Sequence, residues 1–455
     1  MGRGLSTIVL IVILAGLGAY IYFVDANRPG GVPGPAGTIA ESKEKVFTVE
    51  ADKIEELRVT AEKETTLLRK VNGTWQMVEP TQTEADQTEV SGLSSSITGL
   101  EFGRIVEENA ADLANYGLAD PRVKVAFKGQ DGATGEIHIG ERTATDNDLY
   151  AVKAGEKRVF LIPSYHDTSF NKKPFDLRDK RVVLVKRDEV NSLEISGDAV
   201  LQVARTGSEW RLNQPVQARA DYSAIEGLIT RVATANMTKL VEQAPAGGLA
   251  GDVLSKYGLD KPVLTVTVGA GSTKAALAIG KEENGAAYAR DLSRPMVFTI
   301  DPTIVTDLKK SADEYRNKNV FEFRSFTLAR LRISRGSNTY EFHKAAATGD
   351  TAGDKWQRTI NGGAAAEVET AKVEDLLSKL SNLRIESFVP NAPAQFELTV
   401  SASYDDDGKF ERVRFGKAGA DVIAAREGEP GGGRIDAANY EEAIKALDAV
   451  VTPAT

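Results

Sequence analysis

Cysteine is absent from this chain of 455 residues, which excludes disulfides and every thiolate metal site. The absence suits a protein of the cell envelope, where a free thiol invites oxidative mispairing. Histidine is scarce: His138, His166 and His343 stand far apart, without the close spacing of a metal pair. No Gly-x-Ser-x-Gly elbow, Walker loop or His-Glu-x-x-His occurs, so no nucleophile, base and orienting group can be assembled from the sequence. An enzyme is therefore not expected, and neither is a cofactor. Positive charge is also in deficit. With 56 Lys and Arg against 65 Asp and Glu, the net charge of −9 argues against general binding to nucleic acid or to an acidic lipid surface, since both need a basic face.

Long apolar runs are missing except at one place. Residues 5–24 carry no charge and match the roughly twenty residues that span a bilayer core of about 30 Å, with Tyr20, Tyr22 and Phe23 where interfacial aromatics are favoured. A cleaved signal peptide is the competing reading, with Val24-Asp25-Ala26 as a small-residue cleavage site. The run exceeds the ~7–15 residues of a signal peptide's apolar region, which favours a retained transmembrane anchor over residues 1–24. Residues 25–45 follow as a stalk rich in Pro and Gly, with hardly any apolar residue to bury. Arg3 on one flank, against Arg28 and Lys43 on the other, sets only a weak charge asymmetry. The expectation is a single-pass protein of the cytoplasmic (inner) membrane, with its bulk on the periplasmic or extracellular side.

The three tryptophans occupy one position in three successive copies of a unit. Gly73-Thr74-Trp75-Gln76 recurs as Ser208-Glu209-Trp210-Arg211 and as Asp354-Lys355-Trp356-Gln357. Downstream of each lies an apolar stripe at helical spacing: Val90, Leu93, Ile97 and Leu100, then Ile225, Leu228, Val232 and Ala235, then Val373, Leu376, Leu380 and Leu383. Asp86, Asp221 and Thr370 stand where each is expected to cap the helix. Every helix then runs into a short strand, Arg104-Ile105-Val106, Lys239-Leu240-Val241 and Ser387-Phe388-Val389.

Beyond that strand, Tyr116-Gly117-Leu118 with Pro121 matches Tyr257-Gly258-Leu259 with Pro262, and each Pro leads into an alternating strand. The third copy lacks Tyr-Gly-Leu but keeps Pro393 before Phe396, Leu398 and Val400. Next come Ile137-His138-Ile139-Gly140, Leu277-Ala278-Ile279-Gly280 and Val413-Arg414-Phe415-Gly416, and a further strand pair follows in each copy. Copies one and two close on matched junctions, Leu177-Arg178-Asp179-Lys180-Arg181-Val182 and Tyr315-Arg316-Asn317-Lys318-Asn319-Val320, whereas the third ends in an amphipathic segment over residues 440–451. Atypical terminal units are expected in tandem arrays. The boundaries so drawn are 46–185, 186–323 and a divergent 324–455, each long enough to bury its own core. Strands, then a helix, then strands, with no βαβ alternation, predict an α+β fold of three tandem antiparallel sheets, each with a helix packed on one face.

Candidate functional residues are few. Lys172, Lys173, Arg178, Lys180, Arg181, Lys186 and Arg187 crowd the first junction, and Arg316 and Lys318, with Lys309 and Lys310, crowd the second. They read either as a patch for an acidic partner or lipid head group, or as charges paired with Asp176, Asp179, Asp188, Asp313 and Glu314 around a hinge. Trp75, Trp210 and Trp356 read as core anchors ahead of an exposed stacking row, because each lies in a strand context. Tyr116-Gly117 and Tyr257-Gly258 read as turns in which Gly takes positive φ and Tyr packs. Asp146-Asn147-Asp148 and Asp405-Asp406-Asp407-Gly408 read as hairpin turns rather than calcium loops, since the twelve-residue loop pattern is absent.

The anchor, the Trp strand, the helix after it, the Tyr-Gly-Leu-x-x-Pro turn, the strand ending in Ile-Gly and the closing Arg-x-Lys segment together resemble the bacterial domain-of-unknown-function family numbered 4340. The similarity covers essentially everything after the stalk, strongest over residues 47–323 and weaker in the third copy, where Tyr-Gly-Leu and the closing Arg are missing. These motifs are structural, so the resemblance adds no active site. It implies a bacterial envelope protein associated with auxiliary components of ABC-type export systems of the gliding-motility type. The expected function is a membrane-tethered, non-catalytic scaffold or accessory subunit for protein partners such as ABC-type transporter components. The alternative is a binding module for an envelope glycan or lipid, which requires an aromatic or basic groove in each copy or in the clefts between copies. Either way, partner recognition is expected where the copies differ, at the basic junctions and in the divergent third unit.

Overall fold

Each copy opens with a hairpin that the pattern of apolar residues does not announce. In the first, Ile54–Ala61 (β1) and Glu64–Val71 (β2) turn through Glu62 and Lys63, whose φ values of 49° and 70° suit a two-residue hairpin turn. A bulge between Ile54 and Glu56 breaks the two-residue period of β1, so its buried residues fall at Ile54, Leu57, Val59 and Ala61. The same bulge recurs at Val190/Ser192 and at Leu328/Arg330. The computed structural model describes residues 44–244, 248–344, 355–405 and 408–452. The expected anchor, the stalk up to residue 43, and Asp406 and Asp407 lie outside these residues.

Seven further strands complete the first sheet: Thr74–Glu79 (β3), Thr83–Glu84 (β4), Ile105–Glu107 (β5), Val123–Gly129 (β6), Thr134–Arg142 (β7), Asp148–Lys153 (β8) and Val159–Pro163 (β9). Their order is β4-β3-β2-β1-β6-β7-β8-β9-β5, with antiparallel pairing throughout. The strands β4 and β5 lie at opposite edges, so the helix that joins them, Gln87–Thr98 (α1), must cross the face of the sheet. It buries Val90, Leu93 and Ile97 there. The same strand order recurs over residues 190–300 and 328–435, with Tyr222–Ala233 (α2) and Thr370–Ser381 (α3) in the place of α1. Nine strands and one main helix per copy make the chain mostly β, with a heavier share of strand than the α+β label conveys. Copy one forms a compact unit that ends at Asp179, and copies two and three form another that begins at Lys180.

The repeated residues have specific structural duties. Trp75, Trp210 and Trp356 are 4%, 3% and 1% exposed, and the Trp210 indole N–H donates to Glu226 at 2.8 Å. Gly117 and Gly258 take φ of 66° and 69°, and the Tyr of each turn donates its hydroxyl at 2.8 Å, Tyr116 to Glu107 and Tyr257 to Glu242. These turns cover a small second core on the outer face of the sheet, with Leu118, Val152 and Val159 in copy one and Leu259, Ala278 and Val297 in copy two. The turn sits so close that a Cβ on Gly140 would lie 2.1 Å from the Tyr116 carbonyl oxygen, and one on Gly280 would lie 2.2 Å from that of Tyr257. In copy three, Gly416 gives way in the same manner to the carbonyl of Gln395, at 2.3 Å. The Ile-Gly ending thus allows a backbone to pass close over the sheet.

Two helix ends bear out the sequence reading and one corrects it. Asp86 accepts from the N–H groups of Thr88 and Glu89, and Asp221 from that of Ala224. Thr370, expected as the third cap, is instead the first residue of α3, and Glu369 holds the cap position with its side chain paired to Lys372 rather than bonded to a backbone N–H of the helix. The amphipathic C-terminal segment forms a helix, Ala437–Val451 (α4), whose Tyr440, Ala443, Leu447 and Val450 join the third core.

Two outcomes test this account. Gly140→Ala should lower stability by about 1–3 kcal/mol through backbone overpacking. Gly92→Ala, on the open face of α1 with no atom near its added methyl, should raise it by about 1 kcal/mol. Urea unfolding that gave both changes the same sign would contradict the close approach. Trp210→Ala should cost about 3–5 kcal/mol of unit stability, and an unchanged melting transition would remove Trp210 from the core.

Candidate functional site

The basic residues singled out at the junctions are built into the backbone and into ion pairs. In the first unit Lys172 pairs with Glu89 at 2.7 Å and Lys173 with Glu62. Asp176 accepts from the Lys173 N–H at 2.9 Å. Arg178 is buried, and its segment is stitched to the start of α1 by Asp86 N–H to Leu177 O and Asp179 N–H to Glu84 O. In the second unit the segment that begins at Lys180 pairs with the end of α2, through Met237 N–H to Lys180 O and Val182 N–H to Ala235 O. Arg294, held by the buried carboxylate of Asp291 at 2.8 Å, forks onto the carbonyls of Arg181 and Val182. Lys186 pairs with Glu189 on the surface, and Arg187 pairs with Asp188 and with Glu226.

The second junction repeats the device. Asp221 N–H donates to Tyr315 O and Asn317 N–H to Arg219 O, on the copy-two side. Val320 N–H donates to Leu383 O and Ile385 N–H to Lys318 O, on the copy-three side. Arg316 is buried, lies 3.5 Å over the ring of Phe388 and pairs with Asp313 at 3.3 Å, while Lys318 is exposed. Lys309 and Lys310 pair with Asp198 and Asp307. Asp188 and Asp313 pair with junction bases as the sequence suggests, Asp176 accepts from a backbone N–H, and Glu62, Glu89 and Glu226 are partners that the sequence does not point to.

The structure adds an ionic seam between copies two and three. Arg219 binds Glu322, Glu429 at 2.7 Å and the carbonyl of Asn319 at 2.9 Å. Glu411, whose side chain is fully buried, bonds Arg426 and accepts from the backbone N–H groups of Glu322 and Phe323 at 2.9–3.1 Å. Neither residue stood out in the sequence. The available signal was register, since Arg219 precedes the helix cap where copy one has Glu84, and Glu411 falls where the other copies have Gly135 and Ala275.

Beside this seam opens a cleft of about 370 Å³, lined by Trp210, Tyr222, Tyr404 and Phe410 among aromatics and by Arg211 and Lys409 among bases. Burial pushes the Tyr404 phenol up to about 12, so it stays a hydrogen-bond donor. No histidine is among the residues that line the cleft: His138 bonds Glu136 at 2.6 Å, His343 lies on the open face of the third sheet, and His166 is buried against Phe170 with its Nδ1 unpartnered. Asp146 takes φ of 61° in the hairpin between β7 and β8. Among the described residues no cluster of three metal-ligating side chains occurs, and no helix is long and apolar enough to cross a membrane.

A family model described as "Domain of unknown function (DUF4340)" matches residues 75–247 and again 210–399, consistent with tandem copies. No curated protein matches the chain. Among solved structures, the DNA polymerase sliding clamp from Pseudomonas aeruginosa is aligned over 85% of this chain and 92% of its own, at 10% identity and a TM-score of 0.15.

If the seam is structural, Glu411→Ala, which takes from Arg426 its fully buried carboxylate partner and leaves two backbone N–H groups without their acceptor, should cost about 3–5 kcal/mol. Lys186→Ala, removing a surface base, should leave the urea midpoint unmoved. Equal effects from the two would contradict the distinction. His166 supplies a pH test, because desolvation holds its pKa below the ordinary 6.5. The unfolded chain then binds a proton that the folded one resists, so stability should fall as pH drops below about 6.5 and level off once the folded-state pKa is passed. His166→Phe should flatten that part of the profile, and an unchanged slope would locate the acid sensitivity elsewhere.

Proposed function

We propose, from the premise that this chain belongs to the DUF4340 family of domains of unknown function, that it serves as a non-catalytic scaffold or accessory subunit of the bacterial envelope. In this reading residues 1–24 tether it to the cytoplasmic membrane, with its bulk on the periplasmic or extracellular side, and it holds protein partners such as components of an ABC-type export system. The observation that carries the proposal is the use of the junction bases. Side chains that a lipid or acidic-partner patch would need free are instead paired with Glu62, Glu89, Glu189, Glu226 and Asp313, or lie buried as Arg178 and Arg316 do. Their geometry suits joints that fix one copy to its linker, which is what a scaffold requires.

Crosslinking of the full chain in native membranes, followed by capture, tests this. Transporter subunits should be recovered, and recovery should survive Lys186→Ala and Lys318→Ala, which remove exposed junction bases. Capture of glycan or lipid in place of transporter subunits, lost in the same variants, would favour the alternative of a binding module read by the junctions.

A further inference from the structure

Besides the repeated Trp210, three aromatic residues gather at the cleft between copies two and three, and none of these three belongs to the repeat pattern. Tyr222 is the first residue of α2, where the corresponding helices begin with Gln87 and Thr370. Tyr404 stands opposite Leu328 in the register that pairs Ile54 with Gly129 and Val190 with Ala270. Phe410 stands opposite Ser403, where the other copies pair Thr134 with Lys128 and Lys274 with Gly269. The common architecture therefore needs no aromatic ring at any of the three positions. Yet Tyr222 and Phe410 leave 53% and 56% of their surface exposed at the rim of one cavity.

The charges around them are paired. At the mouth Arg211 lies 3.6 Å from Glu209, and Lys409 lies 3.2 Å from Asp405 and 4.0 Å from Glu209. At the floor Arg219 and Arg426 are held by Glu322, Glu429 and Glu411. Arg211, Arg219, Lys409 and Arg426 outnumber Glu209 and Glu322 in the lining, but each of the four is already held by a carboxylate, whereas a phosphate or a lipid head group needs cations that are not so engaged. The Tyr222 ring, and what the Arg412 guanidinium 5.3 Å from its centroid leaves open of the Phe410 ring, stand beside paired donors and acceptors and suit a ligand that is apolar on its faces and rich in hydroxyls at its edges. A pyranose ring has that character. The volume of about 370 Å³ lies within the usual range for small-ligand sites, about 300–1,000 Å³.

We propose that this cleft is a saccharide-binding site, with Tyr222 and Phe410 as stacking platforms and Arg211, Glu209 and Lys409 as the hydroxyl partners. Phe410 also borders a second hollow on the open face of the third sheet, where Phe326 is 78% exposed and Ser401 and Ser403 supply hydroxyls. A chain of sugars thus has a path from the cleft across Phe410, so the ligand class is an oligosaccharide or polymer rather than a single ring. The site is independent of the scaffold reading, because it uses none of the junction bases.

The test is calorimetric titration of the detergent-solubilised full chain with two probes, the β-1,4-linked tetrasaccharides of N-acetylglucosamine and of glucose. At least one should bind, and Tyr222→Ala and Phe410→Ala should each weaken it about tenfold, as loss of one aromatic stacking contact implies. Both side chains are half exposed, so melting should not change. Absence of binding by both sugars at millimolar concentration overturns the proposal, and so does binding that survives the double variant. Polyglutamate and phosphatidylglycerol vesicles are titrated in parallel, and binding of either that is lost in the same variants overturns it in favour of an acidic ligand.

Discussion

The sharing of backbone hydrogen bonds along each junction is the constraint on which the rest of the structure depends. A junction leaves its own copy while bonded to the residues just before that copy's helix, and three residues later it is bonded to the residues just after the next helix. Both ends of the main helix are thereby tied to junction chain. In copy one the segment at 44–46 takes the second of these roles, through Val46 N–H to Leu100 O and Phe102 N–H to Glu44 O. Because the pairing uses main-chain groups, it tolerates different side chains at the same place, which is how one architecture recurs over dissimilar sequence.

Side chains then individualise the junctions. Arg294 holds carbonyl oxygens of the incoming segment in copy two, and in copy three Arg426 reaches Val320 O while Glu411 takes N–H groups of the same segment. In copy one Lys153 lies over the ring of Phe47, the residue that follows the paired stretch. Buried ion pairs of this kind add little net stability against an apolar replacement, but breaking one partner is costly, so they favour one arrangement over others. This selectivity, more than strength, is what a tandem array needs if each junction is to meet its proper copy.

Function is read from departures rather than from repetition. The Trp residues, the Tyr-Gly-Leu turns and the Ile-Gly endings are all occupied with burial or close backbone approach, and leave no exposed chemistry in common. Two aromatic rings that lack such a duty, Tyr222 and Phe410, line a cleft between copies two and three. A scaffold with one sugar site would combine a fixed framework with a single point of recognition, and the two proposals stand or fall separately.

The sequence by itself determined the triplication, the helix stripes, the buried Trp strand and the glycines at turns. Each is a local or periodic property, set by burial of one face or by a backbone angle that only certain residues adopt. Bulges break the period of two in the opening hairpins and so hide them from a sequence pattern, and the third helix cap falls on Glu369, one residue before Thr370, without the capping bond that such a pattern signals. Only the tertiary structure decided which charges meet and which aromatics share a cleft. Arg219 and Glu429 are separated by 210 residues, and Glu411 bonds backbone 88 and 89 residues away. Local spacing carries no information about such partners, since they are chosen by how the sheets and the junction segments are placed in space.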